Sequence, residues 1–210
     1  MVLSLRMATP TGMIVTREVP HASNGVDARR LCIGSEGTLG IITELTMSVR
    51  KIPEHREFRG YLFPTFTAGI DALHACAQSG VMPASARLND PDRTQLASAF
   101  KRRGSSLKET MSRAFKLYMR HARGVEPSQA CLLIAGFEGS GKAIRWRRHQ
   151  AEAIYARHGA ISAGRGPGEA VAEGKFDFPY IRDFLMDHNV LVDVCETSTI
   201  WPKMPALYDA

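Results

Sequence analysis

The sequence predicts an α+β fold in which antiparallel strands carry helices on one face, and three observations lead there. Short runs rich in β-branched and aromatic residues alternate with stretches of helical spacing from Glu57 onward. No internal repeat or low-complexity run interrupts this alternation. Hydrophobic residues make up 44% of the 210 positions, enough to build a core. The alternation alone leaves a parallel strand order open.

Taken in order, Val2 to Ala8 alternates like a strand, Thr9-Pro10-Thr11-Gly12 supplies a hairpin turn, and Met13 to Arg17 pairs back. A short helix at Asp27 to Leu31 precedes a glycine-rich turn, and Leu39 to Val49 leaves that turn as a strand. Pro53 then breaks the pattern, so a domain boundary is expected at Ile52 to His55, dividing 1–52 from 53–210. Glu57 to Phe63 reads as a strand and Thr67 to Gln78 as a helix stopped at Gly80. After a short strand around Leu88, helices are expected at Pro91 to Lys101 and Leu107 to Arg123. Ala130 to Gly136 reads as a buried strand, Lys142 to His158 as a helix and Ala160 to Ala163 as a strand. A helix around Pro179 to Asp187, a strand at Val190 to Glu196 and a helix beginning at Trp201-Pro202-Lys203 complete the chain. It opens inside a sheet and halts barely two turns into a helix, the pattern of a segment taken from a longer protein.

Composition narrows the function classes. No apolar run approaches the roughly 18 residues of a transmembrane helix, and the N-terminus lacks a signal-peptide pattern, so a cytoplasmic protein is expected, with peripheral membrane contact left open. The four cysteines, Cys32, Cys76, Cys131 and Cys195, are far apart and read as buried thiols rather than a zinc site or disulfide framework. The net charge of +6 is concentrated at Lys101-Arg102-Arg103 and at Arg145, Arg147 and Arg148. Aromatic residues that would stack bases are mostly missing beside them, so solvated helix faces are favoured over a nucleic-acid surface. Leu107, Met111, Ala114, Phe115 and Tyr118 form a stripe read as core. The seven histidines are scattered, without triad or metal spacing.

The densest signal is Gly34-Ser35-Glu36-Gly37-Thr38-Leu39-Gly40-Ile41-Ile42-Thr43-Glu44. Its glycines let backbone approach a ligand closely, and its N–H groups and two hydroxyls suit an anionic cofactor. On spacing alone a plain loop is the commoner reading. The wording of the stretch adds to this: Arg29-Arg30-Leu31-Cys32-Ile33 followed by GSEGTLGIITE resembles the flavin-domain signature of the vanillyl-alcohol oxidase and p-cresol methylhydroxylase flavoproteins. The resemblance implies FAD as cofactor, with Glu36, Gly37, Thr38, Leu39, Gly40, Ile41 and Ile42 in contact with it. It also implies that 1–52 is the end of an FAD-binding domain and that 53–210 is an incomplete antiparallel cap domain facing the substrate.

Two arginines and a second glycine stretch are further candidates. Arg87 stands among small residues and by itself reads as a surface ion pair or as a fork for a carboxylate or phosphate. The string Pro83-Ala84-Ser85-Ala86-Arg87-Leu88 resembles the alkyl-dihydroxyacetone-phosphate synthase branch of these flavoproteins, which implies a catalytic place for Arg87. Tyr180-Ile181-Arg182-Asp183, followed by Glu196-Thr197-Ser198 and Trp201, resembles the same branch and implies substrate binding by Arg182. Phe176-Asp177-Phe178-Pro179 and Ile200 depart from the branch's pattern and leave substrate preference open. Gly136-Phe137-Glu138-Gly139-Ser140-Gly141-Lys142 follows a strand and opens a helix, the setting of a phosphate-binding loop. Ala143 stands where such a loop needs Ser or Thr, and Glu138 would place a carboxylate inside it, so a strand-to-helix turn is favoured.

What the resemblance implies in full is exchange of the acyl chain of an acyl-dihydroxyacetone phosphate for a fatty alcohol, through a flavin–substrate adduct and without net oxidation. The partners would be a phosphate- or carboxylate-bearing small molecule and a fatty alcohol, with a homodimer admitted. An FAD-dependent oxidase or dehydrogenase of 2-hydroxy acids, a nucleotide-binding module and an inert fragment stand as the alternatives.

Overall fold

The computed structural model describes residues 1–99, 117, 120–121, 124–173, 178–191 and 195–210. The basic run Lys101-Arg102-Arg103, most of the expected helix Leu107 to Arg123 with its stripe, and Phe176-Asp177 lie outside the described residues. The chain forms two compact units, Met1–Ile52 and Pro53–Ala210.

In the first unit β1 (Val2–Thr9) is the central strand, flanked by β2 (Gly12–Val15) and β3 (Ile41–Met47) in an antiparallel sheet. Alternation along β1 sends Leu5 and Met7 to one face, where they are buried with Cys32 of α1 (Ala28–Cys32) and backed by Ile14. The short α1 is held from its N-terminus, because the Asp27 carboxylate accepts the Arg29 N–H at 3.1 Å. Arg29 is only 6% exposed. Its guanidinium donates to Leu3 O at 2.7 Å, to Val19 O at 2.6 Å and to both Asp27 oxygens, so the buried charge is paired and ties helix to sheet.

The second unit is built on β4 (His55–Phe63), α2 (Phe66–Gln78), β5 (Ser85–Asn89), α3 (Pro91–Ala99), β6 (Cys131–Gly139), α4 (Gly141–Arg157) and β7 (Ile161–Gly164). Its sheet has the order β5-β6-β4-β7 with every neighbouring pair antiparallel. This is a split β-α-β arrangement. The crossovers through α2 and α4 each connect strands that run the same way but are not neighbours, so helical connections coexist with a wholly antiparallel sheet. That long-range choice settles the strand order which the sequence pattern left open.

Odd-numbered residues of β4 and β6 face α2 and α4. There Tyr61, Phe63, Leu133 and Phe137 pack with Leu73, Cys76, Ile144, Ile154 and Tyr155 as the main core. Tyr155 sits at its centre, with ring centroids 4.9 Å from Tyr61 and 5.8 Å from Phe63. Each such side chain contributes roughly 1.5–3 kcal/mol by leaving water. Thr65 caps α2 by accepting the Ala68 N–H at 3.1 Å, and Gly80 follows the helix at a φ of 68°.

The opposite face of the sheet meets α5 (Gly166–Glu173), a helix the sequence did not announce because Gly166-Pro167-Gly168 reads as a breaker. Gly168 makes the contact feasible, since a Cβ there would stand 2.6 Å from the Phe58 carbonyl carbon. Beyond α5 come α6 (Phe178–Asp187), a 3-10 turn at Trp201–Lys203 and α7 (Met204–Tyr208). The last two dock on α2, with Trp201 stacked on His74 at 5.1 Å and Tyr208 on Phe66 at 4.1 Å. Of the strand expected at Val190 to Glu196, residues 192–194 lie outside the described residues and the rest are irregular. Cys32, Cys76 and Cys131 are buried, but Cys195 is exposed, because it falls in irregular chain that no helix or strand covers.

Candidate functional site

The turn between α1 and β3 is made by backbone. Gly34, Glu36, Gly37 and Gly40 all have positive φ, at 84°, 50°, 81° and 154°. Ser35 N–H donates to Cys32 O at 3.3 Å and Thr38 N–H to Ser35 O at 2.9 Å. The Thr38 hydroxyl donates to the same Ser35 carbonyl at 2.6 Å, so only its lone pairs face outward. Among the described residues no protein acceptor meets the N–H groups of Glu36 or Gly37. Gly40 has a separate reason to be glycine, because a Cβ there would collide with the Ala8 carbonyl of β1.

Around this turn the surface is apolar and uncovered. Ile41 is 72% exposed, Leu45 46% and Met47 54%, while Leu39 and Ile42 are exposed beside them. Nothing stands within 4 Å of where Cβ atoms of Gly34 and Gly37 would be. Free N–H donors, open space over two glycines and an apolar flank together fit the flavin dinucleotide that the sequence motif implies.

Arg87 lies on the edge strand β5. Its neighbour Leu88 packs over Gly69 of α2, so alternation puts Arg87 on the other face, opposite Ile134 of β6 and on the side of Ser85 and Phe58. It is exposed, and among the described residues no carboxylate pairs with it. Its guanidinium therefore keeps its full set of donors for an anion. Arg182 is exposed on α6 with Asp183 at 3.5 Å, an exposed pair of little strength. The two arginines share no hydrogen-bond partner among the described residues.

The second glycine stretch is no phosphate cradle. β6 runs on through Gly139, and Ser140 directly caps α4 by accepting the Ala143 N–H at 3.4 Å, leaving too little loop to surround a phosphate. Gly136 lies inside the strand, packed by Ser85 and Phe58. His74 bonds Gln78 at 3.0 Å and His188 bonds Phe184 O at 2.8 Å, both structural contacts. Among the described residues no three His, Cys, Asp or Glu gather as a metal site, and no helix is long and apolar enough to cross a membrane.

One cluster escaped the sequence reading. Glu57 Oε1 accepts from Arg59 Nε at 2.6 Å and Arg148 Nη1 at 2.8 Å, with Arg165 at 3.4 Å. Beside it the Tyr61 hydroxyl donates to Glu152 at 2.8 Å. Burial is the largest single effect on the Glu57 carboxyl and would raise its pKa, but the bonds and charges of Arg59 and Arg148 outweigh it and hold the group below the ordinary carboxylate range. Burial, then the bond to Glu152, pushes the Tyr61 hydroxyl far above its ordinary value, so it stays a donor. The signal was present in β4, where Glu57 and Arg59 share the parity of buried Tyr61 and Phe63. Its partners lie about a hundred residues away, where spacing gives no hint.

Known proteins resemble this chain along nearly all its length. A family model described as FAD linked oxidases, C-terminal domain, matches residues 52–210. The alkyldihydroxyacetonephosphate synthase of Dictyostelium discoideum is 39% identical over 208 residues, covering 99% of this chain and 34% of that protein. The protein of the same name from Trypanosoma brucei brucei is 34% identical over 203 residues, covering 96% of this chain and 33% of its own. A solved structure of an alkyldihydroxyacetonephosphate synthase superposes with a TM-score of 0.78 at 38% identity, covering 100% of this chain and 37% of that one. The chain thus spans about a third of the length of these relatives.

Proposed function

The chain belongs to the FAD linked oxidases, and from that premise we propose that it forms part of an FAD-dependent enzyme of the alkyldihydroxyacetonephosphate synthase kind. The observation that carries this reading is the likeness to such synthases along 99% of the chain, taking in both units. In this reading residues 1–52 close an FAD-binding domain and 53–210 form most of the substrate-facing cap.

FAD is the cofactor, and when bound it would supply the flavin chemistry of the exchange. The chain's own residues bind and orient. The Glu36 and Gly37 N–H groups would donate to the cofactor, Thr38 would offer lone pairs, and Leu39, Gly40, Ile41 and Ile42 would hold it and exclude water. Arg87 holds phosphate oxygens of the substrate through its unpaired fork, and Arg182 contributes a second cationic contact.

An FAD titration of the full-length apoprotein tests this. Gly37→Ala lowers FAD affinity about tenfold or more, whereas Gly25→Ala, at a φ of 73° outside the turn, leaves it unchanged. Equal affinity in both variants would overturn the assignment. Saturable ATP binding lost on Lys142→Ala would replace it with a nucleotide-binding module.

A further inference from the structure

We propose that the outer face of α4 is a membrane-docking surface that recognises anionic lipid. The helix buries Ile144, Ala151, Ile154 and Tyr155 against the sheet. At 100° per residue its exposed arc then carries Lys142, Ala143, Arg145, Trp146, His149, Gln150, Ala153, Ala156 and Arg157. That arc holds three permanent cations and no carboxylate. Trp146 lies near its middle and is 58% exposed.

Three of the neighbouring carboxylates are engaged elsewhere. Glu152, at the margin of the arc, receives the Tyr61 hydroxyl at 2.8 Å, Glu57 is held by Arg59 and Arg148, and Glu138 on β6 pairs with Arg56 at 3.2 Å. Asp71 on the adjoining α2 is the exposed acidic residue of that helix. Against three cations, with Asp71 the carboxylate left over nearby among the described residues, the helix face keeps a net positive charge.

An indole amid cations and small residues is the composition of a helix lying in a lipid interface, its ring at the headgroup level and its cations on phosphate. A nucleic acid fits less well, because one aromatic gives no ladder on which successive bases stack. The depth is modest: a single Trp and three alanines support reversible, charge-dependent attachment. This surface lies on α4 and keeps its charge whether or not the turn at 34–40 carries FAD.

The full chain is sedimented with vesicles of phosphatidylcholine alone and with vesicles containing about one third phosphatidylserine. It co-sediments with the anionic vesicles only, and less as salt rises above about 0.1 M, where charges are screened beyond ~10 Å. The exposed triple variant Lys142→Gln, Arg145→Gln, Arg157→Gln loses about a hundredfold in partition, while Lys142→Arg keeps it. Anionic vesicles shift wild-type tryptophan emission to the blue, and Trp146→Phe abolishes that shift. FAD content, read separately by absorbance, is the same in all these variants. Equal binding to neutral vesicles, or no loss in the triple variant, overturns the proposal. So does a dimer that the triple variant dissolves, preference for duplex DNA, or a Trp146 already shielded without vesicles.

Discussion

Replacing Glu57 by glutamine removes one charge from the most connected ion cluster of the second unit and keeps its shape. The carboxylate is 15% exposed, Arg59 21% and Arg148 22%, whereas Arg165 is 62% exposed and contributes little. Breaking a buried pair by removing one partner costs about 3–5 kcal/mol, because the remaining charge is left without compensation. Here Arg59 loses its partner, Arg148 keeps only the longer pair with Glu152 at 3.9 Å, and each guanidinium retains some contact with water, so about 2–3 kcal/mol is expected. For a protein of this size that is a fall of roughly 4–12 °C in Tm. Urea unfolding of the full chain measures the loss, and the cycle with Arg148→Met isolates the pair, with an expected coupling of about 1–2 kcal/mol. The pH dependence follows from the sign of the shift. The folded carboxyl titrates below its unfolded value of about 4.3, so its contribution is complete above that pH and disappears as pH falls through the depressed folded value. The gap between wild type and Glu57→Gln therefore narrows below about pH 4. A loss under about 0.5 kcal/mol at pH 7, or a gap that widens in acid, would refute the reasoning.

Three further outcomes follow from the structure. Gly40→Ala, forced against the Ala8 carbonyl at a φ of 154°, destabilises the first unit by about 1–3 kcal/mol, seen as faster amide exchange in β1 and β3. Arg87→Gln lowers kcat/KM by a factor of roughly 10–1000 with FAD content unchanged, and Arg87→Lys recovers only part of this, because a point charge replaces a two-pronged donor. Iodoacetamide at pH 8 labels Cys195 and spares the other thiols by peptide mapping. Cys32 is buried, and burial pushes both Cys76 and Cys131 up to about 11.

The features legible in the sequence are local ones. Glycine spacing at 34–40, alternation in β1, the strand pattern of β4 and the stop at Gly80 each act within a few residues, so short-range patterning reveals them. The wording around the turn and around Arg87 carried the family, because both are contiguous strings that a sequence states directly. α5 stayed hidden because Gly-Pro-Gly breaks helices in isolation, and it forms here where Gly168 lets its backbone rest against β4.

The sequence by itself determined the presence and type of most elements, and it marked the turn and the two arginines as candidates. Tertiary structure decided the strand order, because pairing β4 between β6 and β7 closes loops of many residues whose pattern is the same in parallel and antiparallel sheets. It also decided that Arg87 stands on the face away from α2 with no carboxylate partner among the described residues, and that Glu57 gathers guanidiniums from β4, from α4 and from Arg165 just before α5. A charge states its presence in a sequence, but what it meets is set by folding, which brings residues 57, 148 and 165 within hydrogen-bonding or ion-pair reach.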